Sequence, residues 1–397
     1  MHFFMAFSKR KSACLNHKAL LILSILIMFA DWINLYMVLS KLLELGMRGL
    51  PVIFHQDDTS LVLLLLYVDD IILTGSSPAA IASVITLLSK EFDMTDLGHL
   101  HYFLGLHIQY TDAGISMTQY KYIKDVLSKA NLSERKPCVT PSHPNHKLLR
   151  YGSLAFSNPA YYRSLVGALQ YLTFIRPDIA YSVNQVCQFM HSPLKTHYLA
   201  VKRILRYLKG TMHHGLTFRK GSLNLHAFTD ADSAGDPNDR RSTTGYVIFL
   251  GSNPVSWSSK KQQYVSRSFT EAEYHAMAAT TAEIVWLQQL LTDLSFPLAK
   301  SPILYYDNLS AMALSTNPIL HSCAKHIEVD CHFVREKVTR GEIQLQHVSS
   351  SQQVADILTK GLCSPQFNFH CSNLMLEPVS HELVGVDRVY PRVTLVC

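Results

Sequence analysis

The 397-residue sequence predicts a mixed α/β (α+β) chain, and three observations carry that expectation. The run LLLLYVDDIILTG, residues 63–75, has the apolar flanks and short polar break of a β-hairpin. From Leu223 onward, three β-rich runs give way to alternating helical and β-rich segments, the order expected of a mixed sheet covered by helices. Between the two, residues 159–221 carry helical periodicity and a surplus of positive charge.

Taken in order, the first segment is hydrophobic. Lys9, Arg10, Lys11 and Lys18 precede an apolar stretch at residues 19–38, an arrangement similar to a signal peptide or a membrane span. Asp31 near its middle costs about 2.5–3.5 kcal/mol on insertion scales, and roughly ten strong apolar residues at about 0.3–0.6 kcal/mol each just offset it. A buried helix or sequence fused to another element are the competing readings. The hairpin follows, with one strand from Leu61 to Val68, a turn at Asp69 and Asp70, and a return strand from Ile71 to Thr74. Two ionised carboxylates in so apolar a run need a cation, a turn into water, or both.

Residues 78–92 read as a helix capped by Ser77 with Pro78 at its first position. Residues 100–110 read as a strand, and 114–132 as a strand leading into a helix. Three prolines, a fourth just beyond at Pro159, and no apolar period make 136–158 a linker. Three helices follow. In the last, Val201, Ile204, Leu205 and Leu208 share one face while Lys202, Arg206 and Lys209 share another. From Leu223 the expected order is strand 223–230, strand 245–250, strand 254–258, helix 271–294, strand 303–307, helix 309–315, helix 325–339, strand 343–348 and helix 353–359.

Composition narrows the function. A hydrophobic fraction of 48% supports real cores and excludes a disordered tail. The net charge of +6 says less than its distribution: residues 195–220 hold seven Lys or Arg and no Asp or Glu, which suits a facing polyanion as well as a solvated surface. The eight cysteines have no Cys-x-x-Cys spacing, which argues for reduced thiols and an intracellular setting. Cys323, His326, Cys331 and His332 lack the spacing of a standard zinc finger.

Five segments in succession, YVDDIILTGSS, MTDLGHLHYFLGLHI, YRSLVGALQYLTFIRPDIAYSVNQVCQFM, LAVKRILRYLKGT and DADSAGDPNDRRSTTGYVIFLG, resemble the C-terminal part of a copia-type LTR-retrotransposon Pol polyprotein. The resemblance runs from about residue 57 to about residue 365. It implies a partial polymerase palm and thumb at 51–135, a linker at 136–158, a helical connection at 159–221, a ribonuclease H-like domain at 222–365 and a tail at 366–397, with residues 1–50 outside the family pattern. It implies that Asp69 and Asp70 hold the polymerase metals and that Phe103 to Ile108 form the primer grip. The family's third carboxylate belongs to an upstream Asp-Val-x-x-Ala-Phe-Leu-like strand, which does not occur here, and Asp31, Asp57 and Asp58 do not match it. The implied protein is a truncated element whose polymerase half is an inactive relic.

The ribonuclease H pattern, by contrast, is met at four carboxylates: Asp230, Glu273, Asp307 and Asp356. Carboxylates converging from separate elements can hold two Mg²⁺ (or Mn²⁺) ions about 3.5–4 Å apart for hydrolysis of the RNA strand of an RNA–DNA hybrid. Bland alternatives stand beside each: a turn residue at a strand end for Asp230 and Asp307, a helix-start charge for Asp356, and a capping box for Glu273. Ser268-x-x-Glu271 is an equally good box, so Glu271 is assigned to the cap and Glu273 to the metals. Asp232 is the second candidate for the first position. His347 lies nine positions before Asp356, farther than in cellular ribonucleases H. Hybrid contacts are expected from Lys202, Arg206, Lys209, Arg240, Arg241, Lys260, Lys261 and Arg267. The alternative function is a catalytically silent nucleic-acid-binding remnant.

Overall fold

The computed structural model describes residues 52–57, 60–67, 70–75, 77–91, 95–103, 105–112, 114–144, 147–293, 296–308, 328–379 and 395–396. The hydrophobic stretch 19–38, Asp31, Asp58, Asp69, the expected helix 309–315, Cys323 and His326 lie outside them. Among the described residues no helix is long and apolar enough to cross a membrane.

Strands β1 (Val52–Asp57), β2 (Ser60–Tyr67) and β3 (Asp70–Gly75) form an antiparallel meander. Tyr67 pairs with Asp70, so Asp70 begins the return strand instead of lying in the turn. Asp57 pairs with Ser60 at the opposite end of β2. Helix α1 (Pro78–Glu91) covers this sheet, with Ile81 and Val84 packed on Val62, Leu64, Ile71 and Leu73. Strand β4 (Thr95–Asp96) lies at the sheet's far edge.

The expected strand 100–110 is divided into β5 (Tyr102–Phe103) and β6 (Leu106–Thr111), a hairpin turning at the left-handed Gly105. Strand β7 (Gly114–Thr118) and helix α2 (Tyr120–Lys129) follow as expected. Helices α3 (Pro159–Leu172), α4 (Ala180–Cys187) and α5 (Lys195–Gly210) then pack with α2. On α5 the expected apolar face is the buried one: Val201, Ile204, Leu205 and Leu208 are each at most 1% exposed. Burial of such side chains is worth about 1.5–3 kcal/mol apiece, enough to fix which face turns outward.

The proline-rich segment 136–158 is not a loose linker. Its backbone and side chains are tied to α5 and beyond: Arg206 Nε donates to Lys136 O at 2.6 Å, Arg203 donates to Thr140 Oγ1 at 2.9 Å, and Cys138 N donates to Arg206 O at 3.1 Å. Buried His197 accepts from Leu194 N at Nδ1 and so donates from Nε2 to Leu149 O, at 2.8 Å. The segment is a strap laid across the helices.

Strand β8 (His214–Phe218) pairs with β7, so the sheet β5–β8 draws the helical region and the preceding strands together. Strands β9 (Leu225–Asp232), β10 (Thr243–Leu250) and β11 (Asn253–Lys261) are antiparallel. After helix α6 (Phe269–Asp293), β12 (Ile303–Tyr306) joins β9 in parallel. Helix α7 (Glu328–Thr339) leads to β13 (Gln344–His347), parallel to β12. The order β11-β10-β9-β12-β13 is that of the ribonuclease H-like mixed sheet the sequence predicts, and α6 covers it with Ala276, Met277, Ile284 and Leu287.

Two further expectations differ. Residues 353–359 were expected as a helix but form a 3₁₀ turn, Val354–Leu358. The region from 366, expected as a tail, holds the end of helix α8 (Ser364–Asn373) and strand β14 (Leu376–Pro378), which pairs with β8. Its Phe367, Leu374 and Leu376 are buried, so apolar packing holds it in the fold. Strand β15 (Leu395–Val396) pairs with β3 and β4.

Candidate metal centre and nucleic-acid interface

The centre begins at β9, where Asp230 is 4% exposed and stands opposite Gly245 of β10. A Cβ at position 245 would lie 2.5 Å from Thr359 Cγ2 and 2.9 Å from Leu358 Cβ. The missing side chain therefore lets the 354–358 turn lie directly against β10. Thr359 Oγ1 donates to Asp230 Oδ2, and buried Gln353 donates from Nε2 to Thr229 O at 3.0 Å while its Oε1 accepts from Ala355 N at 3.3 Å. These bonds hold Asp356, itself 3% exposed, beside Asp230. Glu273 comes from the second turn of α6, and Asp307 directly follows β12.

Asp230, Glu273 and Asp307 each offer a carboxylate oxygen within 4.8 Å of the others. Asp356 adjoins the trio through Lys360, whose Nζ is 2.8 Å from Asp356 Oδ1 and 3.6 Å from Asp230 Oδ2. All four carboxylates expected from the sequence thus meet at one end of the sheet.

Burial, followed by the negative charge of Asp230 and Asp307, pushes Glu273 up to about 9. Burial, followed by Asp230 and countered by Lys360, pushes Asp356 up to about 7. Burial opposes the charge on Lys360, yet Asp230 and Asp356 outweigh it and raise its pKa. Such crowding of carboxylates is unfavourable without cations. Glu273 Oε2 is moreover buried with no hydrogen-bond partner among the described residues. An all-oxygen, multiply charged donor set with an unsatisfied oxygen fits a hard divalent cation such as Mg²⁺ or Mn²⁺.

The two glutamates separate as the sequence suggests. Glu271 N donates to Ser268 Oγ at 3.2 Å, and Glu271 Oε2 accepts from Arg267 N at 2.6 Å, so Glu271 is spent on the helix start. Asp232 accepts from Thr243 N and pairs with Lys147 of the strap at 3.5 Å, which leaves it outside the trio. His347 ends β13 and is exposed. Sequence reasoning missed Gln353, Thr359 and Lys360. Only Lys360 carried a signal, four residues after Asp356.

The basic residues divide. Lys202 and Arg206 border one cleft, whereas Lys209 does not line it. Arg240, Lys260 and Arg267 are exposed, and exposed Arg241 lies 3.9 Å from Asp239. Lys261, expected to face phosphate, is instead held by Asp236, by Asp239 at 2.8 Å and by Gln188 at 2.9 Å, because the 236–239 loop folds onto it. Of the hairpin pair, Asp70 is placed by its backbone in β3 and Asp69 lies outside the described residues.

Residues 43–144 match the family model described as reverse transcriptase (RNA-dependent DNA polymerase). The Retrovirus-related Pol polyprotein from transposon RE1 of Arabidopsis thaliana is 45% identical over 337 residues, 85% of this chain and 22% of that protein. An uncharacterized mitochondrial protein of Arabidopsis thaliana is 50% identical over 56% of this chain and 93% of its own length. A protein named for transposon Ty5-1 of Saccharomyces cerevisiae is 33% identical over 58% of this chain and 76% of its own length. The chain thus spans about a fifth of the length of the full Pol polyprotein it matches. With the reverse-transcriptase match in its first part and the mixed sheet in its second, the chain belongs to the copia-type retrotransposon Pol family.

Proposed function

We propose that residues 222–365 hydrolyse the RNA strand of RNA–DNA hybrids. The observation that carries this reading is the convergence of Asp230, Glu273 and Asp307 within 4.8 Å, with Asp356 beside them. Mg²⁺ or Mn²⁺ held by these carboxylates would supply an activated water and stabilise charge on the departing oxygen. The chain's own groups prepare the site. Thr359 and Gln353 fix the approach of the last turn, and Lys360 brings positive charge between Asp356 and Asp230 so that the carboxylates can lie together. Glu273, protonated at neutral pH in the absence of cations, releases its proton when a cation takes its place. Exposed Arg240, Lys260 and Arg267 are the proposed contacts to the hybrid's phosphates.

The deciding experiment is Mg²⁺-dependent cleavage of an RNA–DNA hybrid by the full chain, compared with Asp230→Asn. Cleavage that disappears in the variant supports the reading. Wild-type protein that binds hybrid but never cuts it makes the domain a silent remnant.

A further inference from the structure

A cleft of about 1180 Å³ opens between the end of α2, the strap and the outer face of α5. Six cations line it, Lys129, Arg135, Lys136, Lys202, Arg203 and Arg206, and no carboxylate does. They come from segments up to 77 positions apart, so the fold gathers them; sequence proximity does not. Arg203 is tightly placed, donating to Thr140 and 2.6 Å from His143, yet its Nε is buried with no acceptor among the described residues. Burial, and the neighbouring charge of Arg206, act to hold the Arg203 guanidinium below its usual range. Unneutralised cations pressed together in this way await an anion.

One wall is aromatic. Tyr198 stacks on Phe156 with centroids 4.3 Å apart, Lys202 Nζ lies 4.7 Å over the Tyr198 ring, and Tyr161 donates to Lys129 O at 3.1 Å. The volume exceeds the roughly 300–1,000 Å³ of sites for small ligands. A duplex keeps its bases stacked inside and would offer this cleft its phosphates alone; a single strand offers both, with its phosphates on the cations and its bases against the tyrosines. The cleft also adjoins the candidate metal centre. Leu148 lines it and accepts from Asn238 Nδ2 at 2.9 Å, and the preceding Lys147 pairs with Asp232, two residues from Asp230.

We propose that this cleft binds single-stranded nucleic acid, at a place separate from the carboxylates and adjoining them. The inference does not depend on hydrolysis, and its test excludes the metal centre. Binding of a fluorescent oligothymidylate of roughly 12 nucleotides is followed by anisotropy in EDTA across a salt series. The triple variant Arg135→Ala, Lys136→Ala, Lys202→Ala should bind more weakly and lose about 2 from the slope of log K against log salt, at about 0.7 per lost contact. A control triple on exposed lysines outside the cleft, Lys90→Ala, Lys124→Ala, Lys300→Ala, should keep the wild-type slope. Lys202→Glu alone should weaken binding as well, should the triple variant melt early. Asp230→Asn should bind like wild type, whether or not the wild type cuts hybrid. The proposal is overturned if the cleft triple and the control triple behave alike, if duplex DNA of equal length binds as tightly and responds to the same substitutions, or if tripolyphosphate competes as well as the oligonucleotide at equal phosphate concentration.

Discussion

Glu273→Gln should flatten the pH dependence of stability of the metal-free protein. The ordinary Glu pKa of 4.5 rises to about 9 in the fold, through burial first and then Asp230 and Asp307. Between those values the native protein holds a proton that the unfolded chain has released, so the unfolded state binds fewer protons and stability falls as pH rises. One proton corresponds to about 1.4 kcal/mol per pH unit. Asp356, pushed up to about 7, contributes with the same sign at lower pH. His275, raised above 6.5 chiefly by its hydrogen bond to Asp330, gives stability that is present below its unfolded pKa and lost as pH rises. A window of about pH 7.5 to 8.5 therefore isolates Glu273 best. Urea unfolding in EDTA, followed by tryptophan fluorescence, should show the wild type losing about 1.4 kcal/mol across that window and Glu273→Gln losing little. Saturating Mg²⁺ should remove the wild-type loss, because a cation that binds the ionised carboxylate favours the folded state more as pH rises. Equal slopes for the two proteins in EDTA would refute a buried, protonated Glu273.

Asp230→Asn and Asp307→Asn should each lower hybrid cleavage by several orders of magnitude with hybrid affinity in EDTA nearly unchanged; a gel assay with parallel binding measurements decides it, and retained cleavage would remove these residues from the centre. Glu271→Gln should cost about 0.5–2 kcal/mol of stability through the cap at Arg267 and Ser268 and keep most cleavage, measured by thermal unfolding beside the same assay. Gly245→Ala should force the 354–358 turn off β10, costing about 1–3 kcal/mol and weakening the Mg²⁺ dependence of cleavage through displaced Asp356; unchanged Mg²⁺ titration would show that the turn does not need this approach.

Much of the fold was legible because it rests on local signals. The hairpin at 60–75, the Ser268–Glu271 helix start and the buried face of α5 each follow from residues within a few positions of one another. The four carboxylates were legible only through the family pattern, since their elements are separated by up to 126 positions and meet only in the folded sheet. What sequence missed depends on partners far along the chain. The strap looks like a linker because its prolines forbid regular structure, while its order comes from Arg203, Arg206 and His197 on α5. The last turn looks helical, yet Gln353 and Thr359 spend their side chains on β9 and shape it as a 3₁₀ turn around Asp230.

Charge shows the same dependence in its sharpest form, because a lysine's availability is decided by which carboxylates the fold delivers to it. Lys260 and Lys261 are adjacent in sequence and were equal candidates for phosphate contact. Strand alternation points them to opposite faces. Lys260 stays exposed, while Lys261 meets Asp236 and Asp239 as the 236–239 loop turns back. In the stretch 195–220, free of acids in sequence, Arg219 is still captured by Glu377, 158 positions away, once β14 pairs with β8. Lys202 and Arg206 escape because the elements facing them bring Arg135, Lys136 and Lys129 and no acid. An acid-free run of sequence is therefore a weak sign of an anion site; an acid-free cleft, built from several such runs, is the stronger one.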